Sequence, residues 1–136
     1  MAIPNASTSE RSTVLVVEDE TLIRLMLAYE LESAGFHVVE VGNADDAMTK
    51  LLDDQTIGFV VTDVRMPGSI DGLGLVAWMR EQAPGVPIII TSGLVLQPDA
   101  AALNPAIVRV VAKPYEVRDI ATWLREAGCP SGLSAN

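Results

Sequence analysis

The chain has 136 residues, of which 49% are apolar and 20% charged, which fits one globular domain and excludes a disordered chain. Nine Lys+Arg stand against eighteen Asp+Glu, a formal charge of −9 that repels phosphate backbones and argues against nucleic acid as a direct partner. The single cysteine, Cys129, excludes an internal disulfide and a cysteine-rich zinc site, and it fits a reducing compartment.

The first twelve residues are polar and carry no apolar signal core. The richest apolar stretch, Val86 to Leu96, is far short of the roughly 20 residues a helical span needs, and Thr91-Ser92-Gly93 interrupts it. These features predict a cytoplasmic protein without membrane association. Residues 1–11 read as a loose tail, residues 12–128 as the folded unit and residues 129–136 as a short C-terminal tail.

Between the tails, two periodicities alternate. Val14-Leu15-Val16-Val17 predicts a first strand. Leu22, Leu25, Met26 and Tyr29 recur at helical spacing, and Gly35 closes that helix. Val38, Val39 and Val41 predict a shorter, more polar second strand at a sheet edge. Asn43 caps a helix running to about Leu52, with Asp46 in a capping-box position. Phe59 to Thr62 is the third strand, and Asp71 caps a helix through Trp78 and Met79. Val86 to Thr91 and Ile107 to Val111 are the fourth and fifth strands. Pro98 and Pro105 leave room only for a short helix from Asp99 to about Leu103. A last helix runs from about Glu116 to Ala127. Strands alternating with helices, three of them apolar throughout, predict an α/β fold: a flavodoxin-like (βα)5 three-layer sandwich on a parallel five-stranded sheet in the order 2-1-3-4-5.

In such a sheet, ligands bind beyond the carboxyl ends of the strands, where the strand order reverses. The residues leaving the strands there are Glu18-Asp19-Glu20, Asp63, Thr91-Ser92-Gly93 and Lys113-Pro114. Clustered carboxylates repel, so their approach calls for a cation, and oxygen ligands favour Mg2+. A lysine beside them offers a point charge to a phosphoryl group. Glu20 reads as a helix-start acid, and Thr91 rivals Ser92 as the hydroxyl of this rim. His37, at the entry to the edge strand, reads as a surface residue rather than a catalyst. Met26, Met48, Met66 and Met79 read as packing residues, and Trp78 and Trp123 as helix anchors.

Four segments, taken in order, carry a resemblance: Val14-Leu15-Val16-Val17-Glu18-Asp19-Glu20, Val61-Thr62-Asp63-Val64-Arg65-Met66-Pro67-Gly68 with Asp71-Gly72, Pro87-Ile88-Ile89-Ile90-Thr91-Ser92-Gly93, and Ala112-Lys113-Pro114-Tyr115. Over residues 12–127 the chain resembles the receiver domain of two-component response regulators, in particular stand-alone receivers and those of hybrid histidine kinases. The resemblance implies transfer of a phosphoryl group to Asp63 from a phosphohistidine on a histidine kinase or histidine phosphotransfer protein. It also implies Mg2+ on Asp19, Asp63 and the backbone carbonyl of Arg65, with Glu18 acting through water. Lys113 would meet the phosphoryl oxygens, Ser92 would hydrogen-bond the phosphate, and the Lys113–Pro114 bond would be cis. The expected protein is a switch of protein contacts, not an enzyme with a substrate of its own.

Three departures stand out. Val110 occupies the usual aromatic position three residues before the lysine, the loop Met66 to Gly72 is one residue longer than usual, and prolines flank the predicted fourth helix. Together they suggest that phosphorylation orders the Leu94–Pro105 segment instead of swinging a ring. The octapeptide Cys129 to Asn136 leaves no room for an output domain, so the signal is expected to leave through an unidentified downstream protein. The alternative is a receiver-fold binding module that never takes phosphate. A haloacid-dehalogenase-like phosphohydrolase would need an Asp-x-Asp after the first strand, where Glu18-Asp19-Glu20 stands. A dinucleotide enzyme would need a glycine-rich turn there.

Overall fold

A computed structural model of the chain describes residues 12–66, 68, 70–93 and 103–128. Five strands form one sheet: β1 (Thr13–Val17), β2 (His37–Val41), β3 (Ile57–Asp63), β4 (Ile88–Ser92) and β5 (Ile107–Ala112). The order is β2-β1-β3-β4-β5 and every pairing is parallel, as the sequence predicts. Four helices are described: α1 (Thr21–Ser33), α2 (Ala44–Asp53), α3 (Gly72–Gln82) and α4 (Val117–Glu126). Most of the proline-flanked helix predicted from Asp99 to Leu103, most of the Leu94–Pro105 segment, and both predicted tails lie outside the described residues.

Every residue of β1, β3 and β4 is buried, which is why these strands read as unbroken apolar runs. Alternation along each strand divides the core between two faces. Leu15, Val60 and Ile90 pack with Leu75, Val76 and Met79 of α3 on one face, and α2 adds Ala44 and Ala47. On the other face, Val14, Val16 and Ile89 pack with Leu27 and Leu31 of α1 and with Ile120 and Leu124 of α4. The result is the expected three-layer sandwich.

Local chemistry fixes the helix ends. Asn43 Oδ1 accepts from the Asp46 N–H at 2.7 Å, and its amide donates to Asp46 Oδ2 at 3.2 Å, so the predicted capping pair forms. Asp71 Oδ1 accepts from the Gly74 N–H at 2.9 Å. Gly35, at φ 99°, turns the chain out of α1 while the Phe36 N–H returns to the Leu31 carbonyl at 3.0 Å. His37 begins the edge strand β2 and is exposed.

One expectation is corrected. The buried stripe of α1 is Leu27, Ala28 and Leu31, whereas Leu22, Leu25, Met26 and Tyr29 are exposed. Met26 is therefore a surface residue, not a packing residue. Met48, Met66 and Met79 do pack in the core, as do parts of Trp78 and Trp123. The strand limits also shift slightly. β3 begins two residues before Phe59, and β4 runs from Ile88 to Ser92.

Candidate functional site

Strand register builds the site. Val17 lies opposite Thr62, so the next residues, Glu18 and Asp63, leave adjacent strands side by side. Asp63 in turn pairs with Thr91, and Ser92 with Ala112, which brings Lys113 to the same rim. The Lys113 N–H donates to the Ser92 carbonyl at 2.8 Å, and the Val64 N–H to the Thr91 carbonyl at 3.1 Å, so the ladder continues into the exit loops. The Lys113–Pro114 peptide bond is cis, as expected.

Carboxylate oxygens of Glu18, Asp19 and Asp63 all lie within 4.8 Å of one another. Glu18 and Asp63 are buried, and Asp19 is more open to solvent. The Lys113 ammonium donates to Asp63 Oδ2 at 2.8 Å and sits 3.6 Å from Glu18 Oε1. Glu18 Oε2 also accepts from the Glu20 N–H at 3.0 Å, which gives Glu20 its place at the start of α1. Asp63, Arg65, Ser92 and Lys113 line a cavity of about 270 Å3, with Val64 and Gly93 completing it. Ser92, rather than its rival Thr91, is among these lining residues.

The electrostatics are those of an anionic pocket only partly neutralised. Burial raises the Glu18 carboxyl above its ordinary value; the Glu20 N–H opposes this, and the Asp63 charge adds to it. Burial works against the Lys113 ammonium, but the hydrogen bond to Asp63 and the charge on Glu18 outweigh it and raise its pKa. Three carboxylates and one ammonium leave two negative charges uncompensated when all are ionised. A divalent cation matches that deficit. The all-oxygen donor set and its close spacing suit a hard, hydrated ion, so the residues present fit Mg2+.

Two further residues bear on the pocket: Arg24, which sequence reasoning did not single out, and Tyr115, which it named only within the Ala112–Tyr115 segment and without a role. Arg24 Nη1 donates to the Glu18 carbonyl at 3.0 Å. Tyr115 brings a buried hydroxyl that has no hydrogen-bond partner among the described residues, and burial, followed by the Glu18 charge, raises its pKa. Neither has a spacing signal, because one acts on main chain and the other follows a proline turn. Val110, at the position where an aromatic is usual, is exposed.

A sequence profile of the response regulator receiver domain matches residues 14–125. The chain belongs to the response regulator receiver family. This receiver is 32% identical over 110 residues to the response regulator receiver protein CpdR of Brucella abortus, an alignment covering 79% of this chain and 88% of that protein. It is 30% identical over 116 residues to an NtrX-like response regulator of Rickettsia felis, where it spans 84% of this chain but only 24% of the longer relative. Among solved structures, a response regulator receiver protein from Pseudomonas putida superposes with a TM-score of 0.75 at 30% identity, covering 85% of this receiver and 97% of that chain. Among the described residues no helix is long and apolar enough to cross a membrane.

Proposed function

We propose that this receiver accepts a phosphoryl group on Asp63 from a phosphohistidine of a histidine kinase or histidine phosphotransfer protein. The observation that carries the reading is the placement of Asp63. It is a carboxylate at a sheet rim, within reach of two further carboxylates, hydrogen-bonded to an ammonium and open to a cavity. In the transfer, an Asp63 oxygen forms the new O–P bond as the N–P bond to the donor imidazole breaks, and the imidazole keeps the electron pair. Such a transfer needs positioning and charge stabilisation more than acid–base work.

Mg2+ would be held by Asp19, Asp63 and the Arg65 backbone carbonyl, with Glu18 through water. When bound, it offsets negative charge on the phosphoryl oxygens. The Lys113 ammonium, already at Asp63, meets another of those oxygens, and the Ser92 hydroxyl is the donor for a third. Exposed Leu22, Leu25, Met26 and Tyr29 on α1 offer an apolar surface beside the rim, suited to a helical phosphohistidine donor. Phosphorylation then changes protein contacts, with residues 12–128 acting as the receiver unit of a cytoplasmic protein.

Intact mass after incubation with Mg2+ and a small acyl phosphate tests the reading, run beside Asp63→Asn. One added phosphoryl group in the wild type and none in the variant is the expected result. An unlabelled wild type that still binds Mg2+ would favour a phosphorylation-independent binding module. Labelling that survives in the variant would move the acceptor elsewhere.

A further inference from the structure

Glu18 is the most buried of the three acids; its carboxylate accepts from the Glu20 N–H at 3.0 Å and sits 3.6 Å from the Lys113 ammonium. Its main chain is fixed as well, from both directions. The Glu18 N–H donates to the Val41 carbonyl at 3.1 Å, at the end of the edge strand β2. Its carbonyl accepts from Arg24 Nη1 at 3.0 Å. The same guanidinium places Nε 3.4 Å from Glu40 Oε1, on β2. Arg24 therefore ties three elements together: α1, which carries it, the edge strand, and the turn that presents Glu18 and Asp19.

We propose that Arg24 is a positioning residue of the acidic pocket, fixing the Glu18 peptide so that the Glu18 and Asp19 carboxylates converge on the Asp63 side. The inference rests on the receiver reading of that pocket and adds a residue to it. Three features support the assignment. First, the guanidinium is the side chain suited to the task, because its rigid fork serves a carbonyl and a carboxylate at once, which a single ammonium cannot do in fixed geometry. Second, the contact is sheltered: the Arg24 side chain is only 21% exposed, unlike an ordinary surface ion pair of small worth. Third, the chain leaves a passage for it. A Cβ on Gly42 would stand 3.3 Å from Arg24 Nη1 and 4.0 Å from the Glu18 carbonyl oxygen, so the guanidinium runs where a side chain would otherwise press on it.

Arg24 acts through geometry rather than by neutralising the pocket. Its charge faces the back of the Glu18 peptide and is matched by Glu40, while Lys113 is the cation among the carboxylates. Loss of Arg24 should therefore weaken metal binding by letting the turn drift, as removal of supporting groups around metal ligands commonly does, by about tenfold.

The test is calorimetric titration of the full chain with Mg2+, together with thermal unfolding in EDTA, for wild type, Arg24→Ala, Arg24→Lys and Gly42→Ala. Arg24→Ala is expected to bind Mg2+ about tenfold more weakly, and Arg24→Lys to fall between it and wild type. Gly42→Ala keeps the guanidinium but crowds it, and should weaken binding by less than Arg24→Ala does. It also serves if Arg24→Ala does not fold. Mg2+ affinities within twofold of wild type, alongside a lowered melting temperature, would reduce Arg24 to a purely structural residue and overturn the inference. A wild type that binds no Mg2+ would instead overturn the receiver reading of the pocket, a different failure.

Discussion

Gly72→Ala is the sharpest single perturbation of the site. Gly72 opens α3, and its N–H donates to the Val64 carbonyl at 2.8 Å. A Cβ there would stand 1.8 Å from the Asp63 carbonyl oxygen, 2.8 Å from the Asp63 carbonyl carbon and 2.9 Å from Val64 Cα. Favourable contact begins near 3.5 Å, so the first turn of α3 must withdraw by about 1.5 Å or push the β3 exit away. Overpacking of this kind costs about 1–3 kcal/mol, and the strained Val64 hydrogen bond adds about 1 kcal/mol, for a total of about 2–4 kcal/mol. Urea unfolding reads this as a midpoint lower by about 1–2 M. Because the crowded atoms belong to the Asp63 peptide itself, acyl phosphate labelling should slow as well. Gly93→Ala is the control: among the described residues nothing lies within 4 Å of its added Cβ, and its stability should match wild type within about 0.5 kcal/mol. A Gly72→Ala variant as stable as that control would refute the close approach on which the reasoning depends.

Lys113→Met should split two properties that normally travel together. Removing the ammonium that contacts the Asp63 and Glu18 oxygens should tighten Mg2+ binding by about tenfold while abolishing phosphoryl acceptance, and titration plus intact mass would expose the opposite outcome. Tyr115→Phe removes a buried hydroxyl without a partner among the described residues, so the metal-free protein should gain about 1 kcal/mol in urea unfolding; a loss of that size would mean the hydroxyl is paired. For Glu18, burial raises the folded-state value above the ordinary 4.5, so the folded state holds this proton more tightly than the unfolded chain. Its contribution to stability is fully present below pH 4.5 and is lost as pH rises through the folded value. In EDTA, Glu18→Gln should remove that part of the decline, and superimposable pH profiles for variant and wild type would refute the assignment.

The central sheet and the order of its strands were legible because burial on both faces leaves little room for polar residues. The rim was legible for a related reason. Once the strands are placed, parallel register dictates which exit residues are neighbours, and Glu18, Asp63, Ser92 and Lys113 follow. The buried face of α1 was not. That helix is apolar on more than one side, so Leu22, Leu25, Met26 and Tyr29 satisfy helical spacing as well as Leu27, Ala28 and Leu31 do, and only packing against β1 and α4 separates them. Arg24 escaped because its partner is a main-chain carbonyl, which leaves no trace in residue types. α4 gave no such difficulty, since Ile120, Ala121 and Leu124 form a single stripe with Arg118, Thr122 and Arg125 exposed opposite.

The same facts explain why the pocket sits at some cost to the fold that carries it. Glu18 is buried with its carboxyl raised, two acids face it, and one lysine answers three carboxylates. A sequence selected only for stability would replace Glu18 with a neutral residue of similar shape. The retained charge makes sense where a dication and a phosphoryl group both bind, because the negative deficit draws in the first and the lysine then meets the second. Holding such a deficit requires that the acids not drift apart, and the structure meets that requirement from behind. The Val41 carbonyl and Arg24 grip the Glu18 peptide, Gly72 lets α3 close on the Asp63 peptide, and the Lys113 N–H is tied to the Ser92 carbonyl. The Glu18 and Asp63 carboxylates are thus held through their main chain as well as through the Glu20 N–H and the Lys113 ammonium.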